Sequence, residues 1–310
     1  MKLFRNANSF PFDRVREGSV VTIGAFDGLH RGHQKLLDAA FAAGERLGVP
    51  TVVMSFEPTP KEFFAGDSPP ARLMRFREKF DALAQAGVDV FFCPRFDSAM
   101  RDISADTFIR QLLVHTLNVR ELVIGDDFHF ARKREGNVAS LKRAGAALDF
   151  SVTQVPSVVV GEERVSSTAI RDALWTGDMQ RAERLLGRPY RMSGRVIPGR
   201  SLGRDLGYPT ANVNLQRRQS AVMGIFAVRV HGIDGSPLDG VASVGTRPTF
   251  DGVKPLLEVH IFDFNRDIYG KYIHVEFVAR LREERKFDSA DALIEQMHID
   301  SRQAREILAA

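Results

Sequence analysis

Apolar and polar positions follow two different styles along the chain, and the change falls near residue 187. Before that point, short apolar runs rich in β-branched residues alternate with segments of helical periodicity, which predicts a parallel β-sheet covered by helices. The predicted strands span residues 19–23, 51–56, 88–92, 121–124 and 150–155. We therefore expect an N-terminal α/β domain over residues 1–186.

Two of the intervening helices show a clear apolar face. Helical spacing predicts that the first helix buries Leu36, Leu37, Ala40, Phe41 and Leu47. The same spacing predicts that the second helix buries Phe108, Ile109, Leu112, Leu113 and Leu117. Ser104 precedes the second helix and is a suitable N-terminal cap, because its hydroxyl can accept a hydrogen bond from the first turn.

After residue 187 the pattern changes to strands separated by glycine-containing turns. The predicted strands span residues 225–230, 240–244, 256–262 and 272–278, with turns at 233–235 and 269–270. Such a series predicts a small antiparallel β-barrel domain over residues 187–310. A closing helix is expected over residues 289–307.

Composition supports two ordinary soluble domains: the chain has 310 residues, of which 44% are hydrophobic and 26% charged. Its single cysteine, Cys93, excludes an intrachain disulfide and is interpreted as inert packing in an apolar run. Residues 1–17 lack the apolar core of a signal peptide, and no segment approaches the ~18 apolar residues of a membrane span. We expect a cytoplasmic protein without a membrane partner.

The net charge of +4 is mild, and the arginines are dispersed, with the densest basic cluster at residues 132–134. Small anionic substrates suit such an excess as well as nucleic acid does. Most aromatic residues lie in apolar runs instead of alternating with arginine as a base-stacking surface, so no nucleic-acid partner is expected. The oligomeric state is left open by the sequence.

The run GAFDGLHRGH at residues 24–33 links the first predicted strand to the first helix. Parallel α/β folds bind nucleotides at such turns, because backbone N–H groups and the helix dipole attract phosphate. Gly24, Gly28 and Gly32 allow close approach of a ligand. His30 and His33 add two donors that could stabilise charge on an α-phosphate as pyrophosphate leaves. The alternative is a glycine turn with two solvent-exposed histidines.

Two further runs lie where α/β sheets place ligands. VIGDDFHF at residues 123–130 ends a strand, and RVSSTAIR at 164–171 opens a later helix. Helix capping is the alternative role for Ser167 and Thr168, and a plain loop carboxylate is the alternative for Asp127. The run at 24–33 matches neither a P-loop nor the dinucleotide fingerprint. Its His-x-Gly-His pair after Phe-Asp-Gly resembles the signature of the nucleotidyltransferase superfamily.

Together with SFEPTP at residues 55–60, these runs are similar to the FMN adenylyltransferase module of bacterial bifunctional riboflavin kinase/FAD synthetases. The resemblance implies a Rossmann-like nucleotidyltransferase domain. The ATP-binding residues it implies are Gly24, Phe26, Asp27, Gly28, His30, Gly32, His33, Ser166, Ser167, Thr168 and Arg171, with His30 and His33 catalytic. The flavin-binding residues it implies are Glu57, Asp127, Phe128 and Arg134. The chain departs from the family pattern at Ala25, often asparagine, at Thr59, often histidine or glutamine, and at Ala131, often glycine.

A second candidate site lies in the run GRVIPGRSLGRDLGYPTAN at residues 194–212, whose glycine and arginine density predicts a flexible loop able to close over phosphates. Thr210 and Asn212 are two residues apart, so in an extended segment both oxygens face one side and could share one Mg²⁺. The alternative is a polar turn in which Asn212 bonds its own backbone. Glu258 lies within an apolar strand, either as an ordinary exposed-face residue or as the base that accepts a proton from a hydroxyl attacking the γ-phosphate.

These features resemble the riboflavin kinase domain of the same family, which carries Gly-x-Pro-Thr-Ala-Asn, here with Tyr208 after Gly207. GVASVGTRPTF at 240–250 matches too, with Ser243 where asparagine is frequent, as does LREERKF at 281–287. The resemblance implies ATP-binding residues Gly199, Gly203, Gly207, Pro209, Thr210 and Asn212. It makes Thr210 and Asn212 the Mg²⁺ ligands, Glu258 the catalytic base, and Arg282, Glu284 and Phe287 flavin-binding residues.

The resulting hypothesis is a bifunctional enzyme with riboflavin, FMN, FAD and ATP as its small-molecule partners. The C-terminal domain would phosphorylate riboflavin to FMN with ATP, and the N-terminal domain would join AMP to FMN, releasing pyrophosphate. Mg²⁺ is expected at both sites to offset the triphosphate charge. The alternatives are a chain in which only one domain is active, and a regulatory protein that senses flavin.

Overall fold

The computed structural model describes residues 1–7, 10, 12–199, 207–249 and 252–310, with the backbone alone for 247–249 and 252–254. The chain forms two compact units, one of Met1–Pro70 and Met74–Val165, the other of Ala71–Leu73 and Ser166–Ala310. Residues 166–186 thus group with the second unit. The boundary of the two functional domains at residue 187 stays a prediction.

The first unit contains a six-stranded parallel sheet. Its strands are β1 (Lys2–Phe4), β2 (Ser19–Ile23), β3 (Thr51–Met54), β4 (Val90–Phe92), β5 (Val119–Gly125) and β8 (Ser151–Val155), in the order β1-β4-β3-β2-β5-β8. Two short antiparallel ribbons pair β6 (His129–Phe130) with β7 (Gly136–Asn137), and β9 (Val159–Val160) with β10 (Glu163–Arg164). All five predicted strands of the sheet are confirmed, and its three-residue edge strand β1 was missed.

The helices of the first unit are α1 (Arg31–Leu47), α2 (Pro60–Ala65), α3 (Phe76–Gln85), α4 (Ser98–Arg101), α5 (Ala105–Thr107), a π-helix (Phe108–Thr116) and α6 (Val138–Leu148). Short 3₁₀ turns span Phe12–Arg14 and Arg132–Arg134. Alternate residues of the strands fill two cores: Val21 packs with the π-helix and α6 on one face, and Val53 packs with α1 and α3 on the other. Burial on both faces is what a parallel sheet requires, and the predicted α/β class is confirmed.

The order of the strands creates a switch point between β2 and β5. From β2 the chain winds outward through β3 to β4, whereas from β5 it winds in the opposite direction to β8. Open α/β sheets bind ligands in the crevice beyond the carboxyl ends of the two strands at such a point. The loops after Ile23 and after Gly125 therefore meet at the position where this fold holds ligands.

Two details of the helices differ from the prediction. The second helix runs as a π-helix, with the Leu117 N–H bonded to the Leu112 carbonyl five residues earlier, a register that apolar spacing does not reveal. Its five predicted core residues are nevertheless buried, and the Ser104 hydroxyl accepts from the Thr107 N–H at 3.1 Å, so the cap is confirmed. The placement of Leu47 in the core was wrong: it is 39% exposed at the last turn of α1.

Thr22 supplies a stability prediction. It lies in the middle of β2, fully buried between Val53 and Val123, and its hydroxyl finds no hydrogen-bond partner among the residues that the structure describes. A buried hydroxyl without a partner costs about 1–3 kcal/mol. Thr22→Val keeps the shape and removes that cost, so the free energy of unfolding in urea should rise by about 1 kcal/mol.

Thr153→Val is the matched control. Its hydroxyl donates to the Glu121 carboxylate at 2.7 Å, and Glu121 is itself buried. Because Thr153 itself is exposed, losing this hydrogen bond should lower stability by about 1 kcal/mol. The interpretation of Thr22 would be wrong if both substitutions moved the urea midpoint in the same direction.

The second unit is a closed antiparallel barrel of six strands. These are β11 (Tyr190–Ile197), β12 (Ala211–Asn214), β13 (Gly224–His231), β14 (Leu238–Thr249), β15 (Gly252–Ile261) and β16 (Tyr272–Arg282), in the order β11-β12-β15-β14-β13-β16. The helices of this unit are α7 (Ser167–Thr176), α8 (Met179–Leu186) and α9 (Ala290–Ala309). The predicted barrel and closing helix are confirmed. Ser289 caps α9, and Ala304 and Leu308 of that helix pack on Ala227 and Phe262 of the barrel.

The beginning of the predicted phosphate loop is a strand instead. Residues 194–197 belong to β11, where a Cβ on Gly194 would lie 2.5 Å from the Asn214 carbonyl oxygen. From the sequence, Gly194 was interpreted as part of the flexible phosphate loop. In the structure, the absence of a side chain at Gly194 permits close packing of neighbouring strands. Gly203, the central residue of the predicted loop, lies outside the described residues.

Candidate nucleotide and flavin sites

The loop after β2 ends in a stacked pair of histidines at the start of α1. His30 is the N-cap of this 17-residue helix, and its Nδ1 accepts a hydrogen bond from the His33 N–H at 3.3 Å. The two imidazole rings lie 3.6 Å apart and 15° from parallel. His30 is only 7% exposed, so the alternative of two solvent-exposed histidines does not hold. Two ring donors and the positive end of a long helix meet here, an arrangement suited to phosphate.

The rest of this loop is shaped by tight packing. Phe26 is fully buried in the core with φ +48°, and Gly28 has φ +89°. A Cβ on Gly24 would lie 3.2 Å from the Phe26 ring, and one on Gly32 would lie 3.2 Å from the His30 ring. The Asp27 carboxylate accepts the Met74 N–H at 2.9 Å. Phe26 and Asp27 thus fix the loop, and their contacts with ATP stay predictions.

The loop after β5 carries a network of charges. Asp126 accepts hydrogen bonds from the Ser157 N–H at 3.0 Å and the Ser157 hydroxyl at 2.8 Å. These bonds, aided by the charge of Arg164, hold the pKa of Asp126 below its usual value. Arg164 also donates to the Asp127 carboxylate at 2.7 Å. The sequence analysis gave no role to Arg164. The pairing of β9 with β10 places Arg164 beside Asp127, and that contact is not visible in the run at 164–171.

The remaining predicted flavin residues lie at the same edge of the sheet. Phe128 stacks on Phe130 with ring centres 5.8 Å apart, and Arg134 Nη2 lies 3.2 Å from His129 Nδ1. Glu57 follows β3 and forms an isolated β-bridge with Arg95. An aromatic cluster next to Glu57 was not predicted; it is formed by Phe56, Phe63, Phe64 and Phe96. Its members are separated along the chain, so no single run reveals it.

Ala131, where the family resemblance expects glycine, is strained. Its φ of +64° and ψ of −179° fall in a region that is essentially restricted to glycine and costs other residues about 1–3 kcal/mol. Ala131→Gly should therefore raise the free energy of unfolding by about 1 kcal/mol, after allowing for the extra freedom of glycine in the unfolded chain. Ala146→Gly, on the exposed side of α6, is the control and should lower it by about 1 kcal/mol. A loss of stability in Ala131→Gly would contradict the strain.

The run at 164–171 begins α7 in the second unit. The cap of this helix is Ser166, whose hydroxyl accepts the Ala169 N–H at 3.1 Å, so the capping alternative for Ser167 and Thr168 was wrong. Both residues lie in the first turn of the helix. Arg171 Nε donates to the carbonyl of Ala71 at 2.6 Å. Their contacts with ATP stay predictions.

On the barrel, Glu258 lies at the centre of a polar row. In the strand register it stands directly opposite Asn212 of β12 on one side and Ser243 of β14 on the other. Paired residues of neighbouring strands point to the same face. The next residues, Val213, Leu257 and Val244, are buried and fill the barrel interior, so the polar row Asn212–Glu258–Ser243 lies on the outer face.

The polar row is partly covered. Asn212 is 8% exposed, and a Cβ on Gly199 would lie 2.1 Å from its Nδ2, so the Gly199 backbone packs on this side chain. Because Asn212 belongs to strand β12, the alternative of a polar turn was wrong. Thr210 is half-buried just before that strand. Hydroxyl and amide oxygens are hard, neutral donors, which fit a Mg²⁺ whose other ligands are phosphate and water.

The segment after β16 reaches this row through Glu284. Ser243 donates a hydrogen bond to its carboxylate, and a Cβ on Gly245 would lie 2.2 Å from Glu284 Oε1. Burial raises the pKa of Glu284 above its usual value, against the opposing effects of the Ser243 hydrogen bond and of Arg282. Glu284 thus joins the polar row from a different part of the chain.

Arg282 forms an ion pair with the terminal helix α9. Its Nε and Nη2 donate to the buried Asp300 of α9 at 2.9 and 2.7 Å, a bidentate ion pair. Phe287 lies under the guanidinium groups of Arg282 and Arg285, at 5.7 and 4.8 Å from its ring centre. Their flavin contacts stay predictions, and Arg282 already has a structural role.

A histidine pair at the switch point of a parallel sheet and a polar row on a closed barrel define a two-domain, nucleotide-using transferase. A family model described as FAD synthetase matches residues 13–169, and one described as riboflavin kinase matches 186–308. The bifunctional riboflavin kinase/FMN adenylyltransferase of Escherichia coli (strain K12) is 46% identical to this chain, over 99% of this chain and 97% of its own length. The bifunctional riboflavin kinase/FMN adenylyltransferase of Haemophilus influenzae is 45% identical, over 98% of each chain. The chain belongs to the bifunctional riboflavin kinase/FMN adenylyltransferase family.

A solved structure supports the likeness over both units. A Streptococcus pneumoniae protein described as a macrolide-efflux protein superimposes with a TM-score of 0.82 and 32% identity, covering 98% of each chain. As for a membrane, none of the helices in the described ranges combines the length and apolar character needed to cross one.

Proposed function

We propose that residues 187–310 transfer the γ-phosphate of ATP to the ribityl hydroxyl of riboflavin, and that residues 1–186 join the AMP part of a second ATP to the FMN formed. One observation carries this proposal: each family-model match contains one of the two candidate sites. The match described as FAD synthetase contains the stacked histidine pair at the sheet switch point, and the match described as riboflavin kinase contains the Asn212–Glu258 pair on the barrel.

In the kinase reaction, Glu258 accepts the proton of the terminal ribityl hydroxyl. The oxygen of that hydroxyl attacks the γ-phosphorus of ATP, and ADP leaves. Thr210 and Asn212 would hold the Mg²⁺ of the nucleotide, and Gly199, Gly207 and Pro209 would line its phosphates. The cross-strand pairing of Asn212 with Glu258 supports this, because it sets the metal ligand next to the base. Glu284 and Phe287 lie on the flavin side.

In the adenylyl transfer, a phosphate oxygen of FMN attacks the α-phosphorus of ATP and pyrophosphate leaves. His30 and His33 donate to the oxygens on which charge develops, and the amide groups at the start of α1 add to that field. The Ser166–Arg171 segment contacts the nucleotide, and Glu57, Asp127, Phe128 and Arg134 contact the flavin. No covalent intermediate with the enzyme is needed.

Mg²⁺ is the proposed cofactor of both reactions, since it offsets triphosphate charge. Riboflavin, FMN, FAD and ATP are the proposed partners, without nucleic acid. A cytoplasmic location is proposed as well, and the single cysteine, Cys93, which is buried and has no second cysteine in the chain to pair with in a disulfide, suits a reducing compartment.

The direct test is a time course with purified protein, riboflavin, ATP and Mg²⁺, in which FMN and FAD are resolved by chromatography. FMN should appear first and FAD should follow with release of pyrophosphate, and chelation of Mg²⁺ should stop both steps. Absence of FMN would refute the kinase assignment. Absence of FAD when FMN is supplied would refute the transferase assignment.

A further inference from the structure

Tyr208 lies between the barrel and the terminal helix. It is 9% exposed, and its hydroxyl lies 2.5 Å from Nδ1 of His298 on α9. Its ring meets His260 of β15 edge-on at 4.9 Å and His298 at 5.4 Å. Tyr208 is therefore held by a hydrogen bond from one element and by ring packing from two.

The backbone after Tyr208 is also held. His260 Nδ1 lies 3.0 Å from the carbonyl oxygen of Pro209, so the Nδ1–H tautomer donates to it. His260 follows Glu258 by two residues on β15 and thus lies on the same outer face. The chain then continues through Thr210 into β12, where Asn212 stands opposite Glu258.

These contacts fix one end of the segment that carries both proposed metal ligands. Thr210 lies between two anchored points, the Tyr208–Pro209 pair and strand β12. Within the described residues, Thr210 itself lies outside the paired strands, so its position depends on those anchors. A change at Tyr208 would therefore alter the position of Thr210 first.

We propose that Tyr208 is a positioning residue for Mg·ATP in the kinase site, acting through its hydrogen bond to His298 and its packing on His260. The inference rests on the proposed kinase function of the barrel. Without the hydrogen bond, the segment 208–210 spends part of its time in arrangements in which Thr210 cannot reach the metal. A ligand that binds only the competent arrangement then shows an apparent affinity reduced by the competent fraction.

The test measures steady-state FMN formation by Tyr208→Phe, by His298→Ala and by the double variant. Each single change removes the same hydrogen bond, and the KM for Mg·ATP should rise about fivefold, equivalent to one net hydrogen bond of about 1 kcal/mol. The double variant should be no worse than either single one, because the bond can be lost only once. The KM for riboflavin and kcat should change less than about twofold. Binding of a non-hydrolysable Mg·ATP analogue by calorimetry should weaken in parallel.

A conservative variant and matched controls separate positioning from general damage. In His298→Asn, the amide oxygen stands close to the position of Nδ1 and should restore the wild-type KM. Tyr269→Phe makes the same change at an exposed tyrosine of the second unit, and Arg302→Ala truncates an exposed residue one turn further along α9. Both controls should behave as wild type, and every variant should convert supplied FMN to FAD at the wild-type rate.

Three results would overturn the inference: an unchanged KM for Mg·ATP, additive losses in the double variant, or an equal rise in the KM for riboflavin. They differ from failure of the function itself, which would appear as a wild-type protein that makes no FMN.

Discussion

Glu258→Gln is expected to lower kcat for FMN formation by about 10²–10⁴-fold, the usual contribution of a general base. Glutamine keeps the size of the side chain and its place opposite Asn212, but it cannot take the proton of the attacking hydroxyl. The KM for Mg·ATP should change little, because the proposed metal ligands are untouched. Rates of FMN formation at saturating substrates, followed by chromatography, measure the effect.

The matched control for this change is Glu283→Gln, at an exposed glutamate near the end of β16. It should leave FMN formation unchanged. In Glu258→Gln, conversion of supplied FMN to FAD should proceed at the wild-type rate, because that reaction is assigned to the other domain. Near-normal FMN formation by Glu258→Gln would remove Glu258 as the base and leave it an outer-face residue of the barrel.

His30→Ala is expected to lower the rate of FAD formation by about 10²–10³-fold, the loss typical of removing one preorganised donor from a transition state. His30 has a second role, because its Nδ1 caps α1, and loss of an N-cap costs about 1 kcal/mol of stability. A fall in activity of His30→Ala alone would therefore mix catalysis with folding.

His30→Asn separates the two roles. Asparagine is among the best N-cap residues, so the cap and the stability should be retained while the imidazole and its stacking on His33 are lost. FAD formation should remain as slow in His30→Asn as in His30→Ala, with FMN accumulating in both. If asparagine restored FAD formation together with stability, His30 would be a helix cap and not a phosphate ligand.

The predictions from sequence succeeded where the information is local. Alternating and helical apolar patterns identified the five main strands of the sheet and the later barrel strands, because burial of a face imposes a period on each element. They failed where a local pattern fits two structures. The end of β11, residues 194–197, was taken for the start of a glycine-rich loop, and the π-helix was taken for an α-helix.

The candidate sites show the same division. The candidate runs at 24–33 and 194–212 were predicted from residue types and spacing alone. Two ion pairs were missed, Arg164 with Asp127 and Asp300 with Arg282. In each pair the two residues are distant along the chain, so no short segment contains both. The aromatic cluster around Phe96 was missed for the same reason.

By itself the sequence determined the class of each domain and predicted which residues bind phosphate, because periodicity, glycine placement and residue chemistry are properties of short segments. Only the tertiary structure decided that Glu258 stands opposite Asn212, that His30 stacks on His33, and that Tyr208 bonds to His298. Strand register, ring packing and long-range pairing depend on how distant segments fill space together, and no local pattern specifies them.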